Sequence, residues 1–212
     1  LAEGSVGLIE VPNFDMMLVN TPLVGWSASF ASPHVVDPAF IGTYNPVAVG
    51  PSPQGGLAAS FYDPTGPNAG NTNTLTAAVA AGQVFEAWVW FDASPAAAGI
   101  PRSWSIGFGT VDSQYRTPDP SGALGLNSNG NTGVSWTYQV VGATATLYLI
   151  DHNDGGSGPL TSSGPIVAAQ IPITLGVNDG WQLLRLERVG TTTFGSFDNV
   201  ALPVIYPDCC DE

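Results

Sequence analysis

The side chains with the most chemical potential in this 212-residue chain are few and widely spread. The two histidines, His34 and His152, are far apart in sequence, and neither sits in a His-Glu-x-x-His spacing that would hold a metal. His34 lies in Ser32-Pro33-His34-Val35-Val36-Asp37, without a nucleophile elbow, and no spacing in the chain suggests a Ser-His-Asp triad. Glu86 and Asp92 are a conceivable glycosidase pair, because such enzymes place two carboxylates across one bond. Six residues of extended strand span about 20 Å, however, too far for either hydrolytic geometry. Asp151-His152-Asn153-Asp154-Gly155-Gly156 resembles the start of a calcium loop, but Ser162 stands where the bidentate Glu belongs, so it reads as a hairpin loop. The chemistry predicts a protein that is not an enzyme and requires no cofactor.

Two features remain. Glu86, Trp88 and Trp90 share one face of a strand and would make a sugar platform, with rings stacking on a pyranose and the carboxylate accepting from hydroxyls. Large aromatics in such a strand otherwise go into a core, and the outward-facing Tyr148 is an equal alternative platform. Cys209-Cys210 is the other feature. Neighbouring Cα atoms are about 3.8 Å apart, whereas ordinary bridges want about 5.5 Å. With only two cysteines in the chain, an unstrained disulfide must reach another molecule. A strained vicinal bridge, free thiols, or soft-metal binding beside Asp208, Asp211 and Glu212 are the other fates.

The elements that position these residues are strands. Gln83 to Phe91 is aromatic and β-branched on both faces and reads as a central strand. Trp104, Ile106 and Phe108 alternate with Ser103, Ser105 and Gly107, and Val134, Trp136, Tyr138 and Val140 alternate with Ser135, Thr137 and Gln139. Each pattern predicts one buried face. Residues 144–150, 166–171, 181–189 and 191–202 supply further strands, and Asp179-Gly180 is a tight-turn signal. No helix of normal length is predicted. Short strands separated by Gly- and Pro-rich breakers (26 glycines, 18 prolines) imply an all-β fold, a single antiparallel β-sandwich over residues 11–203. Residues 1–10 form an apolar strand-like extension ahead of it, and 204–212 an acidic Cys-Cys tail beyond its last strand.

Charge narrows the partners. The chain has no lysine, four arginines and seventeen acids, for a net charge of −13. It repels phosphate backbones and anionic lipid surfaces, which excludes nucleic acid and polybasic membrane docking. No apolar run approaches the roughly 18 residues of a membrane span. The sequence opens at Leu1 rather than Met, as a chain does after leader removal or when it is simply given from that residue.

Val11-Pro12-Asn13-Phe14-Asp15, Gly25-Trp26 and Phe197-Asp198-Asn199-Val200-Ala201-Leu202 together resemble secreted bacterial jelly-roll domains of the carbohydrate-binding-module type. Val11 and Asp15 stand where that family usually has Asn and Glu. Pro207-Asp208-Cys209-Cys210 replaces the sorting tail found in surface-protein relatives. The resemblance implies a jelly-roll-like path with the first and last strands adjacent. It also implies an extracellular or cell-surface location and a structural calcium near Asp15 and Asp198. Two carboxylates fall short of the six to eight oxygens calcium takes, and ordinary turn carboxylates are the other reading.

Two functions follow as expectations. The first is a structural subunit of a filament or surface layer whose partners are copies of itself. Its extension would add as a strand to a neighbour's sheet, with Val6 and Leu8 pointing one way, Ile9 and Val11 the other, and Cys209 or Cys210 locking the contact. The second is a carbohydrate-binding module using Glu86, Trp88 and Trp90.

Overall fold

The computed structural model of the chain describes residues 18–23, 27–28, 34–51, 53–60, 73–74, 84–96, 102–109, 133–151, 166–189, 192–198, 200–201 and 206–207. They belong to two compact units, Glu10–Ala78, and Val79–Glu212 with Leu1–Ile9. Every regular element among the described residues is a strand, and every strand pairing is antiparallel. No helix there is long and apolar enough to cross a membrane.

In the smaller unit, β1 (Ser27–Ala28) pairs with β4 (Asn73–Thr74), and β2 (His34–Val36) pairs with β3 (Ala58–Ser60). Val35 and Val36 are buried. The loop after β2 is tied by its own polar groups: Ala39 N–H donates to Asp37 Oδ1 at 3.0 Å, and Asn45 Nδ2 donates to Phe40 O at 2.9 Å. The His34 ring stacks on Tyr44 with centroids 3.5 Å apart, which places this histidine in local packing.

The larger unit holds β5 (Val84–Phe91), β6 (Arg102–Gly109), β7 (Gly133–Val141), β8 (Thr144–Asp151), β9 (Ile166–Ile173), β10 (Gly180–Val189), β11 (Thr192–Phe197), β12 (Val200–Ala201) and β13 (Tyr206–Pro207). One sheet is the meander β6-β7-β8-β9, and the other runs β12-β11-β10-β5 with β13 also paired to β11. The turns explain the strand ends. Gly142, at φ 56°, supplies the left-handed residue that a two-residue hairpin between Val141 and Thr144 requires. Between β9 and β10, Asn178 Oδ1 accepts from Thr174 N–H and Asp179 Oδ1 from Gly176 N–H, each at 2.7 Å. Gly180, at φ 87°, then opens β10 where the Asp-Gly signal predicts a turn.

The two sheets share one core. Trp136, Val140 and Leu147 from the meander and Phe91, Leu184 and Leu186 from the other sheet are fully buried in one cluster. The Phe91 ring meets Tyr138 edge-on at 4.9 Å and lies 5.2 Å from Trp104. The polar tips are satisfied across the layers: Trp136 Nε1 donates to Arg185 O at 3.2 Å, and the Tyr138 hydroxyl donates to Asp92 O at 2.8 Å. At Gly195 the sheets approach closely, since a Cβ there would sit 2.7 Å from Leu149 Cδ2 and 3.0 Å from Trp136 Cζ2.

Four local expectations are corrected. β5 borders its sheet among the described strands, with β10 as its neighbour, and is not central. β7 is buried on both faces, Thr137 and Gln139 being only 2% and 3% exposed. The single strand expected over 191–202 is a hairpin, because Asp198 turns the chain at φ 48° and Val200 pairs back onto Phe197. Finally, the tail does not lie wholly beyond the sheet: Tyr206 and Pro207 pair with Thr193 and Thr192.

Candidate functional site

Strand alternation and register build one chemically distinctive surface, the outer face of the β5–β10 ladder. On β5, Phe85, Val89 and Phe91 belong to the shared core, so the alternate residues Glu86, Trp88 and Trp90 face away from it. The register sets Trp181 opposite Trp90, Leu183 opposite Trp88 and Arg185 opposite Glu86. An aromatic end and an ionic end result.

At the aromatic end, Trp90 and Trp181 meet edge to face, centroids 5.7 Å apart and planes at 74°. Trp90 is seated over Gly180, where an added Cβ would lie 3.6 Å from Cζ3. Trp88 and Trp90 are half-buried, and Leu183 beside them is buried outside the shared core cluster. At the ionic end, Arg185 Nη1 lies 3.4 Å from Glu86 Oε2 and Nη2 lies 3.0 Å from Glu187 Oε2. These three side chains are 39%, 43% and 38% exposed, so each pair contributes at most about 1 kcal/mol. Chemically, the face offers ring edges, an apolar floor and one guanidinium between two carboxylates. It suits stacking and hydrogen bonding to a neutral polyol.

The structure therefore brings Glu86, Trp88 and Trp90 onto one outward face. Asp92 is not part of it: its Oδ1 accepts from Ser94 N–H at 3.0 Å and from the Ser94 hydroxyl, an Asx-type turn that ends β5. Asp198 is exposed at its hairpin turn, and its backbone N–H donates to Leu183 O at 2.8 Å. Asp15, Val6, Leu8, Ile9, Val11, Cys209 and Cys210 lie outside the described residues, as does His152. Among the described residues, no group of three or more His, Cys, Asp or Glu is arranged to hold a metal. Sequence reasoning missed Trp181, Arg185 and Glu187 as parts of the face. The signal was present, since these residues share parity on a strand whose start the Asp179-Gly180 turn fixes.

No protein-family model, curated protein or solved structure matches the chain. The functional reading therefore stands on the molecule's own residues.

Proposed function

We propose that this protein is a non-enzymatic, extracellular structural subunit that assembles with copies of itself by strand addition. The observation that carries the reading is an open architecture: both sheets of the larger unit have distinct border strands among the described residues. Open borders accept a further strand through backbone hydrogen bonds. The chain also carries an apolar, strand-prone segment, Ser5-Val6-Gly7-Leu8-Ile9-Glu10-Val11, ahead of the expected sandwich. A head-to-tail contact of this kind yields a filament where its rotation closes no ring. Cys209 and Cys210, two and three residues beyond β13 in sequence, are the covalent lock in this reading. Its frame in this reading is a jelly-roll-like β-sandwich. Electron microscopy of the concentrated full-length chain tests the proposal. Regular filaments or sheets are expected; a field of single particles at every concentration contradicts it.

The outer face of β5 and β10 favours a second reading, a carbohydrate-binding module. Glu86, Trp88 and Trp90 face away from the core, beside Trp181. Titration with soluble polysaccharides should then give a binding heat that Trp88→Ala abolishes. Absence of heat with neutral glucans, mannans and xylans alike removes this reading.

A further inference from the structure

We infer that β6, a border strand among the described strands, is the acceptor: its outer edge receives residues 3–10 of a second copy as an antiparallel strand, with Glu10 opposite Arg102. The inference rests on the strand-addition reading and names the surface and register that it uses.

The larger unit presents four borders among its described strands, and three are ill-suited. β9 contains Pro172, which has no N–H to give, and the register shift at Leu149/Ile150 leaves Ala168 unmatched. Proline and a bulge are the devices that blunt an edge. The border beyond β11 is divided between β12 and β13, of two residues each, the latter ending in Pro207. β5 carries Glu86 as its one charge, the same sign as Glu3 and Glu10 of the incoming segment. β6 differs on every count. It runs eight residues in unbroken register with β7, from Arg102 opposite Val140 to Gly109 opposite Gly133. It contains no proline, and its one charge is a cation in a chain that has only four.

The segment fits this edge in length, charge and pattern. Residues 3–10 are eight, as are those of β6. With Glu10 opposite Arg102, an antiparallel strand sets Leu8 opposite Trp104 and Val6 opposite Ile106. Trp104 and Ile106 pack against the core cluster, so Val6 and Leu8 prolong that apolar face. Ser5, Gly7 and Ile9 fall opposite the alternate positions Gly107, Ser105 and Ser103. The parallel arrangement with Glu3 opposite Arg102 sets Ser5 and Gly7 against Trp104 and Ile106, and the apolar match is lost. One orientation and one register satisfy both charge and pattern.

The test is cross-linking between full-length chains in which Cys209→Ser and Cys210→Ser remove the native thiols. One chain carries Gly7→Cys and the other Ser105→Cys, a directly opposed pair in this register. Oxidation of the mixture should link the two chains at least ten-fold more than the register-shifted pair Gly7→Cys with Ser103→Cys. A chain bearing both Gly7→Cys and Ser105→Cys should give a ladder of multimers. In the chain with its native cysteines, Glu10→Arg should abolish assembly and added Arg102→Glu should restore it. Polymers that form without the Gly7–Ser105 link and ignore the charge exchange overturn the β6 assignment alone. A cross-linked monomer overturns it in favour of self-pairing. A chain that never polymerises overturns the strand-addition reading as well.

Discussion

Strand β7 runs inside its sheet between β6 and β8, whereas β5 borders its own sheet beside β10. Both send large rings into the shared core, Trp136 and Tyr138 from one and Phe91 from the other. Their second faces behave in opposite ways. On β7 the polar Thr137 and Gln139 are almost fully enclosed, while on β5 the far more apolar Trp88 and Trp90 remain half-buried and Glu86 is exposed. The register supplies a reason. Thr137 stands between Ser105 and Tyr148, and Gln139 between Ser103 and Thr146, so each has a neighbouring strand on both sides. Trp88 has Leu183 on one side only, among the described strands. Place in the sheet, more than hydrophobicity, decides how deeply a second face is covered.

Truncation tests the contrast most strongly. Trp136→Ala should lower unfolding free energy by about 3–5 kcal/mol, the range for deleting a fully buried aromatic. Trp88→Ala should cost about 1 kcal/mol, because a half-buried ring gives up a fraction of its transfer energy. Urea denaturation of the two variants checks this, and equal losses would break the comparison. Next comes Thr137→Asp, which places a charge in an enclosed position and should cost about 3 kcal/mol. A near-neutral result would mean that water reaches the second face of β7. Gly195→Ala should cost about 1–3 kcal/mol, since its Cβ enters the space of Leu149 and Trp136. Thermal melts would show this, and an unchanged midpoint would mean that the sheets part easily there. The smallest effect belongs to Arg185→Gln on the outer face of β10, at most about 1 kcal/mol and less still as salt is added.

The same contrast explains what could be read in advance. Alternation located the core faces of β6 and β7, because side-chain direction depends only on a period of two. It also separated Phe91 from Trp88 and Trp90 correctly. Neighbours were not legible. An apolar second face made β5 look central, and Thr137 and Gln139 made β7 look half-exposed, since alternation does not show a strand's place in its sheet. Turns were read where Asp-Gly announced one at 179–180, and missed where a single residue did the work. Asp198 in a left-handed conformation folds 192–201 into a hairpin that composition alone does not mark. Trp181 and Arg185 escaped notice as parts of the candidate site for the same reason. They join Trp90 and Glu86 only through pairing between strands some hundred residues apart.

Assembly by the N-terminal segment is the central claim, and sedimentation velocity tests it most directly. Full-length chain and chain lacking residues 1–10 would be run at one concentration, with circular dichroism confirming the same β content. Strand addition by the N-terminal segment predicts large, heterogeneous polymers for the first and a folded monomer for the second. Equal polymerisation of both, or a strictly monomeric full-length chain, would contradict it.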